Sequence, residues 1–173
     1  MLIAQACAGD IPALESLLNS AYRGEESKKG WTSEADLISG TVRTDAATLQ
    51  RLIETPGALF LKHVDDAGQL DGCVFLQKHD NRLYLGMLSV SPDSQAGGIG
   101  KQLMSAAEAH AFVVQCDRVF MKVISARKEL IAWYERKGFR DTGDREPFPQ
   151  EDRFGVPTRP LEFIIMEKML EKN

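Results

Sequence analysis

The segment from Leu88 to Lys101 constrains the fold of this chain more than any other part of it. Its sequence is Leu-Ser-Val-Ser-Pro-Asp-Ser-Gln-Ala-Gly-Gly-Ile-Gly-Lys, and it leads from an apolar strand pattern into a helical pattern that runs from Ile99 to Val114. A glycine-rich turn at the start of a helix leaves backbone N–H groups exposed at the positive end of the helix dipole. The segment therefore predicts a strand, a turn and a helix that together bind a phosphate group.

Two common nucleotide-binding patterns fail at specific residues of this segment. A P-loop requires a glycine at the position of Gln95 and a hydroxyl residue at the position of Gln102, after Gly100-Lys101. A dinucleotide-binding turn requires a third glycine at the position of Leu103, and an acidic residue at the end of the next strand, where this chain has Ser125. The sequence therefore disfavours nucleotides of the ATP and NAD types.

Length and composition limit the class of protein. The 173 residues fit one domain, and 43% hydrophobic with 27% charged residues is ordinary for a soluble globular protein, so we expect residues 1–173 to form a single domain. A net charge of −4 without a Lys/Arg run argues against a nucleic-acid partner. The first residues do not match a signal peptide, and no apolar stretch is long enough to span a membrane. We therefore expect a cytoplasmic protein that does not bind membranes.

The cysteines and histidines indicate neither disulfides nor a metal site. The cysteines are odd in number, far apart and set in apolar runs, which predicts small buried side chains in a reducing compartment: Cys7, Cys73 and Cys116. The three histidines are scattered, as surface or packing residues are. We therefore expect no metal cofactor.

Hydrophobic periodicity predicts an alternation of strands and helices along the chain. The first predicted elements are a strand at 2–8, a helix ending near 22, a short helix starting at 32 or 33 and a helix capped by Asp45. Three antiparallel strands follow between 58 and 90, and then a helix from 99, a strand at 118–124 and a helix at 128–137. The last predicted elements are a strand at 139–143, a proline-rich loop at 144–160 and a strand at 161–168.

This order of elements, together with two local motifs, resembles the GNAT superfamily of N-acetyltransferases. Gln95-x-x-Gly98-x-Gly100 is similar to the family's acetyl-CoA-binding signature, Q/R-x-x-G-x-G/A, and the segment from Arg127 to Phe139 is similar to its late pattern A-x-x-x-Y-E-x-x-G-F. The resemblance implies an α/β (α+β) fold with a mixed, mostly antiparallel central sheet. Helices would flank this sheet, and its strands would splay apart where acyl-CoA binds.

The resemblance also implies the residues that bind acetyl-CoA, or another short acyl-CoA, as co-substrate. A β-bulge would direct the N–H of Leu88 at the thioester oxygen, and Val90 would pair along the pantetheine arm. Arg127 stands where many relatives have asparagine, and it would contact a phosphate or the pantetheine. The pyrophosphate would accept hydrogen bonds from the turn and the start of the helix: Gln95, Ala96, Gly97, Gly98, Ile99, Gly100 and Lys101. These glycines, and the side chains of Leu88 and Val90, also suit a tight turn and a core strand.

Two side chains are candidates for proton transfer. The resemblance places Tyr134 near the sulfur of CoA, where its phenol could protonate the leaving thiolate; a tyrosine buried on a helix face fits the same pattern. Glu34 is the candidate base, in the region where the family builds its acceptor pocket, and Trp31 beside it suits a cationic or apolar acceptor. The acids around Ser33 equally fit the capping of a helix.

The sequence therefore predicts an N-acetyltransferase that moves an acetyl or short acyl group from acetyl-CoA to a primary amine of a small molecule or peptide. Direct attack is expected because no cysteine lies in a motif position for an acyl-enzyme. The alternative is a non-catalytic acyl-CoA-binding or regulatory module of the same fold. The sequence leaves open which amine is the acceptor, and whether the chain acts alone or as a homodimer.

Overall fold

Strands and helices alternate along the chain in the computed structural model, which describes residues 2–23, 33–35, 37–39, 43–94, 97–149 and 155–171. Four helices lie in these residues: α1 (Ile11–Tyr22), α2 (Ala46–Glu54), α3 (Ile99–Val113) and α4 (Lys128–Arg136). The strands are β1 (Leu2–Gln5), β2 (Ile38–Ser39), β3 (Ala58–Val64), β4 (Leu70–His79), β5 (Arg82–Val90), β6 (Arg118–Ile124), β7 (Arg140–Pro147), β8 (Val156–Pro157) and β9 (Glu162–Met169).

Seven strands form one sheet in the order β1-β3-β4-β5-β6-β9-β7. All neighbours in this sheet are antiparallel except β5 and β6, which are parallel. The last strand of the chain therefore enters the sheet between β6 and β7, and β2 and β8 form a separate antiparallel pair. The predicted α/β fold with a mixed, mostly antiparallel sheet is confirmed.

The sheet is buried on both faces, because helices pack on either side of it. In β4, Val74 and Leu76 belong to the core cluster that includes α3 and α4, whereas Cys73 and Phe75 belong to the cluster that includes α1 and α2. This alternation follows from the two-residue period of a strand. It also explains why the sequence of β4 is an almost continuous apolar run.

Strands β5 and β6 pair only at one end. Their ladder joins Arg82–Tyr84 to Arg118–Phe120 and stops there, although both strands continue. Further along β5 the register against β4 shifts, because Met87 and Leu88 together occupy the place opposite the single residue Val74. Met87 takes a φ of 53°, in the left-handed region. A β-bulge of this kind bends its strand, and here it accompanies the separation of β5 from β6.

The region around Glu34 and the proline-rich segment differ from the sequence prediction. Residues 33–35 and 37 are not helical; Leu37 and Ile38 donate backbone hydrogen bonds to the carbonyl of Glu34 in a single turn, and Ile38 is already the first residue of β2, while position 36 lies outside the described residues. The segment predicted as a loop contains the end of β7 and the short strand β8. These strands form because β7 pairs with β9 and β8 pairs with β2. Pairing with strands far away in sequence outweighs the local preference of proline for loops. Position 32 lies outside the described residues.

The burial prediction for the cysteines is wrong at one position. Cys73 and Cys116 are buried, whereas Cys7 is exposed. Cys7 lies just after β1, where its backbone N–H donates to the carboxylate of Asp10 ahead of α1. It is therefore a cap position at the surface and not part of the apolar core.

A buried hydrogen bond joins β3 to β4. His63 is fully buried, and its Nδ1 lies 2.5 Å from Oδ1 of Asp71. An ionised carboxylate only accepts hydrogen bonds, so the imidazole donates. The carbonyl of Asp71 accepts in turn from the N–H of Ser91, at 2.8 Å. The other ring nitrogen, Nε2, is buried and has no hydrogen-bond partner among the described residues.

We expect Asp71→Ala to lower the free energy of unfolding by about 2 kcal/mol, because it leaves a buried imidazole without its hydrogen-bond acceptor. Asp71→Asn retains an acceptor oxygen and should lose less than half as much. Urea unfolding of the three proteins tests this. Equal losses for the two variants would show that the charge of the carboxylate, and not its hydrogen bond, stabilises this part of the sheet.

Candidate active site

A cleft of about 90 Å³ opens where β5 and β6 separate. Its walls come from α1, β5, β6 and α4 and from the segments before α2. The polar and aromatic side chains among its lining residues are Tyr22, Glu34, Arg43, Tyr84, Lys122, Arg127, Tyr134 and Phe163. Leu88, on the bulge, lines the same cleft. The cleft therefore combines main chain outside a regular ladder with several titratable groups.

The bulge residue Leu88 is held by a tyrosine. The β4–β5 ladder pairs Ser89 with Cys73 and Gly86 with Phe75, so Leu88 has no paired residue in this ladder. The hydroxyl of Tyr22 donates to the carbonyl oxygen of Leu88. Burial raises the pKa of Tyr22 to about 12, which keeps this hydroxyl a donor at neutral pH. The bulge predicted in this strand is confirmed, and the orientation of its N–H towards a thioester stays a prediction.

The turn before α3 contains a glycine in a left-handed backbone conformation. Gly98 has φ +73°, in the left-handed region, and a Cβ at this position would meet no atom within 4 Å. Glycine is therefore required there by the backbone angle and not by crowding. Ile99 and Gly100 are buried at the start of α3, whereas Gly97, Gly98 and Lys101 are exposed. Gln95 and Ala96, the other two predicted contacts, lie outside the described residues.

The first turn of α3 rests directly on the main chain of β4. A Cβ on Gly72 would lie 2.8 Å from Cγ2 of Ile99 and 3.1 Å from Cδ1 of Leu103. Val90, a predicted cofactor contact, is paired with Gly72 across the ladder and is buried in the core. Gly72 was not among the site residues predicted from the sequence. A glycine inside an apolar strand pattern is a signal of such close approach, and it could have been found.

We expect Gly72→Ala to displace the start of α3, to weaken CoA binding and to lower the free energy of unfolding by about 1–3 kcal/mol, as overpacking does. Calorimetric titration with CoA and urea unfolding measure the two effects. The matched control is Gly9→Ala, since a Cβ there would meet only the sulfur of Cys7, at 3.7 Å. Unchanged CoA affinity in Gly72→Ala would show that this contact does not position a binding segment.

Tyr134 lies on α4 with its ring buried and its side chain at the cleft. Its ring centroid is 5.2 Å from that of Trp133 and 5.9 Å from that of Phe139. Burial raises the pKa of Tyr134 well above its ordinary value. The side chain therefore stays a neutral phenol throughout the neutral pH range.

Glu34 is surrounded by guanidinium groups. Its Oε1 lies 3.1 Å from Nε of Arg23 and 3.9 Å from Nε of Arg43, and its Oε2 lies 4.0 Å from Nη1 of Arg127. The carboxylate is largely buried, and its backbone N–H donates to the carbonyl of Tyr22. Trp31, the aromatic neighbour considered in the sequence, lies outside the described residues. Glu34 is thus the centre of an ion-pair cluster, which the sequence did not predict.

Of the site residues predicted from the sequence, the structure brings Leu88, Glu34, Arg127 and Tyr134 to one cleft, and their roles there stay predictions. Four further polar groups of the cleft were missed: Tyr22, Arg43, Tyr84 and Lys122. Tyr22 is the last residue on the apolar face of α1, and a position on that face indicates a core residue. Arg43 stands in a segment with no periodic pattern, so no local signal identified it.

The described residues show no group of three or more His, Cys, Asp or Glu side chains that could hold a metal ion. Among the helices in this part of the chain, none is long and apolar enough to cross a membrane.

A family model described as the acetyltransferase (GNAT) family matches residues 12–139, which is well over half of the chain. The chain belongs to the GNAT acetyltransferase family. It is therefore an enzyme of the acyltransferase class, and the α/β fold and the family resemblance inferred from its motifs are both confirmed. The match includes β5, the glycine turn and α4, the segments that supply Leu88, Gly98 and Tyr134.

Solved structures of GNAT proteins share this fold over nearly the whole chain. The ribosomal-protein-alanine N-acetyltransferase from Brucella melitensis is 19% identical, with a TM-score of 0.73, over 98% of this chain and 100% of that one. A putative acetyltransferase from Salmonella typhimurium, solved with its cofactor acetyl-CoA, is 18% identical, with a TM-score of 0.69, over 100% and 95%. A putative phosphinothricin N-acetyltransferase is 13% identical, with a TM-score of 0.74, over 99% of both chains. No protein of curated function matches the sequence.

Proposed function

We propose that this enzyme moves an acetyl or short acyl group from acetyl-CoA to a primary amine of a small molecule or peptide. The observation that carries the proposal is that the bulge at Leu88 and the phenol of Tyr134 line one cleft. The same strand leads directly into the glycine turn and α3. A group that would activate the thioester, a phosphate site and a group that would protonate the leaving thiolate thus follow one another along the chain.

Acetyl-CoA fits the described residues at two places. The exposed turn at Gly97 and Gly98 leads into the free N–H groups at the start of α3, which suit a pyrophosphate. At the bulge, the N–H of Leu88 would donate to the thioester oxygen and stabilise the oxyanion that forms on attack, an effect worth about 3 kcal/mol. The acetyl-CoA complex of the Salmonella typhimurium relative agrees with this co-substrate.

Direct attack by the amine fits the positions of the cysteines. An acyl-enzyme needs a nucleophilic thiolate in the cleft. Cys73 and Cys116 are buried, and burial raises the pKa of Cys73 to about 12. Cys7 is exposed but lies before α1, and none of the three cysteines lines the cleft. We therefore propose that amine and acyl-CoA react in a single ternary complex.

Glu34 was the candidate base, and its contacts favour a different role. Its carboxylate already lies within 4.0 Å of the guanidinium groups of Arg23, Arg43 and Arg127. We propose that Glu34 positions these arginines, and that the proton of the incoming ammonium passes to water.

Thiol release tests the function. The protein is mixed with acetyl-CoA and a panel of primary amines, and free CoA is followed with a thiol reagent. We expect release that depends on one class of amine and forms its N-acetyl product. If CoA binds tightly but no amine of the panel causes thiol release, the protein is instead a non-catalytic acyl-CoA-binding module.

We expect Tyr134→Phe to lower kcat by about 10² while changing the Kd for acetyl-CoA little, since loss of a positioned proton donor affects the chemical step. The control is Tyr84→Phe, which removes the hydroxyl of a second tyrosine lining the same cleft. Unchanged kcat in Tyr134→Phe, or equal losses in both variants, would remove the acid role.

The pH profile gives a second test of this acid. Because burial raises the pKa of Tyr134, the phenol is protonated below that pKa and loses its proton only above it. We therefore expect kcat to show no falling limb from Tyr134 up to about pH 10, the ordinary pKa of a tyrosine. A falling limb below pH 9 that disappears in Tyr134→Phe would contradict the buried environment described above.

A further inference from the structure

We propose that Ser89 is a positioning residue of the acyl transfer: its buried hydroxyl fixes the peptide group between Met87 and Leu88, and this directs the N–H of Leu88 at the oxygen of the thioester. The inference rests on the proposed function, because it adds a residue to the same reaction. It follows from the backbone strain at Met87, the side chains around its carbonyl oxygen and the geometry of a trans peptide.

The backbone conformation of Met87 needs support from its surroundings. Its φ of 53° lies in the left-handed region, which is unfavourable for a residue with a side chain. Such residues persist where neighbouring groups hold them, and they occur often at functional sites. Met87 lines the cleft and precedes Leu88, whose N–H is the proposed oxyanion donor. The contacts of Met87 therefore decide how this N–H is oriented.

Ser89 provides the stronger of two contacts to the carbonyl oxygen of Met87. Its hydroxyl donates to this oxygen at 3.0 Å, and its side chain is fully buried. A buried hydroxyl is unfavourable without a hydrogen bond, so an apolar residue would suit a core position of a strand better. Met87 has no paired residue in the β4–β5 ladder. The hydroxyl of Ser89 thus takes the place of a ladder donor at the bulge.

Cys73 provides the second contact. Its Sγ lies 3.7 Å from the same carbonyl oxygen, and burial raises the pKa of this thiol to about 12, so it keeps its proton as a weak donor. Cys73 and Ser89 are opposite each other in the ladder, which places their side chains on one face of the sheet. This is the face on which α1 and α2 pack. The carbonyl of Met87 is therefore directed towards that face.

The orientation of the N–H of Leu88 follows from this carbonyl. None of the peptide bonds in the described residues is cis, and in a planar trans peptide the C=O and the N–H point in opposite directions. The N–H of Leu88 therefore points away from Ser89 and Cys73, towards the face that carries α3 and α4. Tyr134, the proposed acid, lies on α4. The hydroxyl of Tyr22 holds the next peptide group through the carbonyl of Leu88.

A fixed N–H matters most in the transition state. Negative charge develops on the thioester oxygen during attack, and a donor stabilises it best when its position is set beforehand. Without the hydroxyl of Ser89, the strained peptide after Met87 is free to relax, and the N–H of Leu88 loses its direction. The pyrophosphate site at the start of α3 does not depend on this peptide. Loss of the hydroxyl should therefore affect kcat and leave CoA binding unchanged.

Ser89→Ala tests the inference in steady-state assays with acetyl-CoA and the best amine of the panel. We expect kcat to fall by about tenfold or more, while the Kd for CoA stays within about twofold of wild type. Ser89→Cys keeps a weak donor of similar size and should recover part of kcat. The matched control is Ser20→Ala. The hydroxyl of Ser20 also donates to a carbonyl at 3.0 Å, that of Leu17, but it does not line the cleft, so we expect wild-type kcat.

The amide signal of Leu88 in NMR spectra gives a second test that does not depend on turnover. The probes are acetyl-CoA and S-ethyl-CoA, which lacks the carbonyl oxygen. In the wild type we expect the amide proton to move further downfield with acetyl-CoA than with S-ethyl-CoA, because only the first ligand offers it an acceptor. In Ser89→Ala this difference should fall by at least half. A purely structural role of Ser89 would leave the difference unchanged.

The outcomes separate this inference from the proposed function. Unchanged kcat in Ser89→Ala, an equal loss in Ser20→Ala, or equal losses of kcat and CoA affinity would overturn the positioning role, while amine-dependent thiol release leaves the proposed function standing. A Leu88 amide that responds alike to both ligands in the wild type would also overturn it. Absence of amine-dependent release in the wild type would overturn the proposed function, and the NMR comparison would still decide whether the N–H of Leu88 meets the thioester oxygen.

Discussion

The end of the ladder between β5 and β6, at Tyr84 and Phe120, is the feature on which the rest of the site depends. Inside a sheet, main-chain N–H and C=O groups that lose their neighbour need another partner. The bulge at Leu88 and the hydroxyl of Tyr22, which donates to its carbonyl, meet part of that need on β5. The cleft that remains is lined by main chain outside a regular ladder, and such main chain can bind a ligand. A continuous ladder at this point would close the cleft and remove the site.

The position of α3 depends on the same strands. Gly72 on β4 lets the first turn of the helix approach the main chain, and Val90 pairs with Gly72 at the end of β5. The residue after β5, Ser91, donates in turn to the carbonyl of Asp71, whose side chain bonds to the buried His63. The glycine turn between β5 and α3 is therefore held at both ends. A phosphate site at the turn and an acyl site at the bulge would keep a fixed separation, as one ligand that spans both requires.

Most of the fold could be predicted because its signals are local. The helix after Asp45 begins where the cap residue indicates, with Oδ1 of Asp45 accepting from the N–H of Thr48, and the three antiparallel strands follow turn residues that are visible in the sequence. The strands β2 and β8 could not be predicted, since each exists only through its pairing with the other across more than a hundred residues. The same holds for the ion-pair cluster. Arg23, Arg43 and Arg127 meet Glu34 from three separate segments, and the spacing of charges along the chain does not show which of them converge.

The net charge of a chain does not show the charge of its site, for a related physical reason. The chain carries −4 overall, which weakly favours cationic partners, yet the described part of its cleft has more guanidinium groups than carboxylates. Charges interact most strongly at short range and away from bulk water, so the few groups at the cleft outweigh the many at the surface. The guanidinium groups also affect how readily the bound amine loses its proton. Nearby positive charge disfavours the ammonium form of a bound amine and thus lowers its pKa. In the proposed reaction, a guanidinium beside the bound amine would therefore favour the neutral form that attacks the thioester.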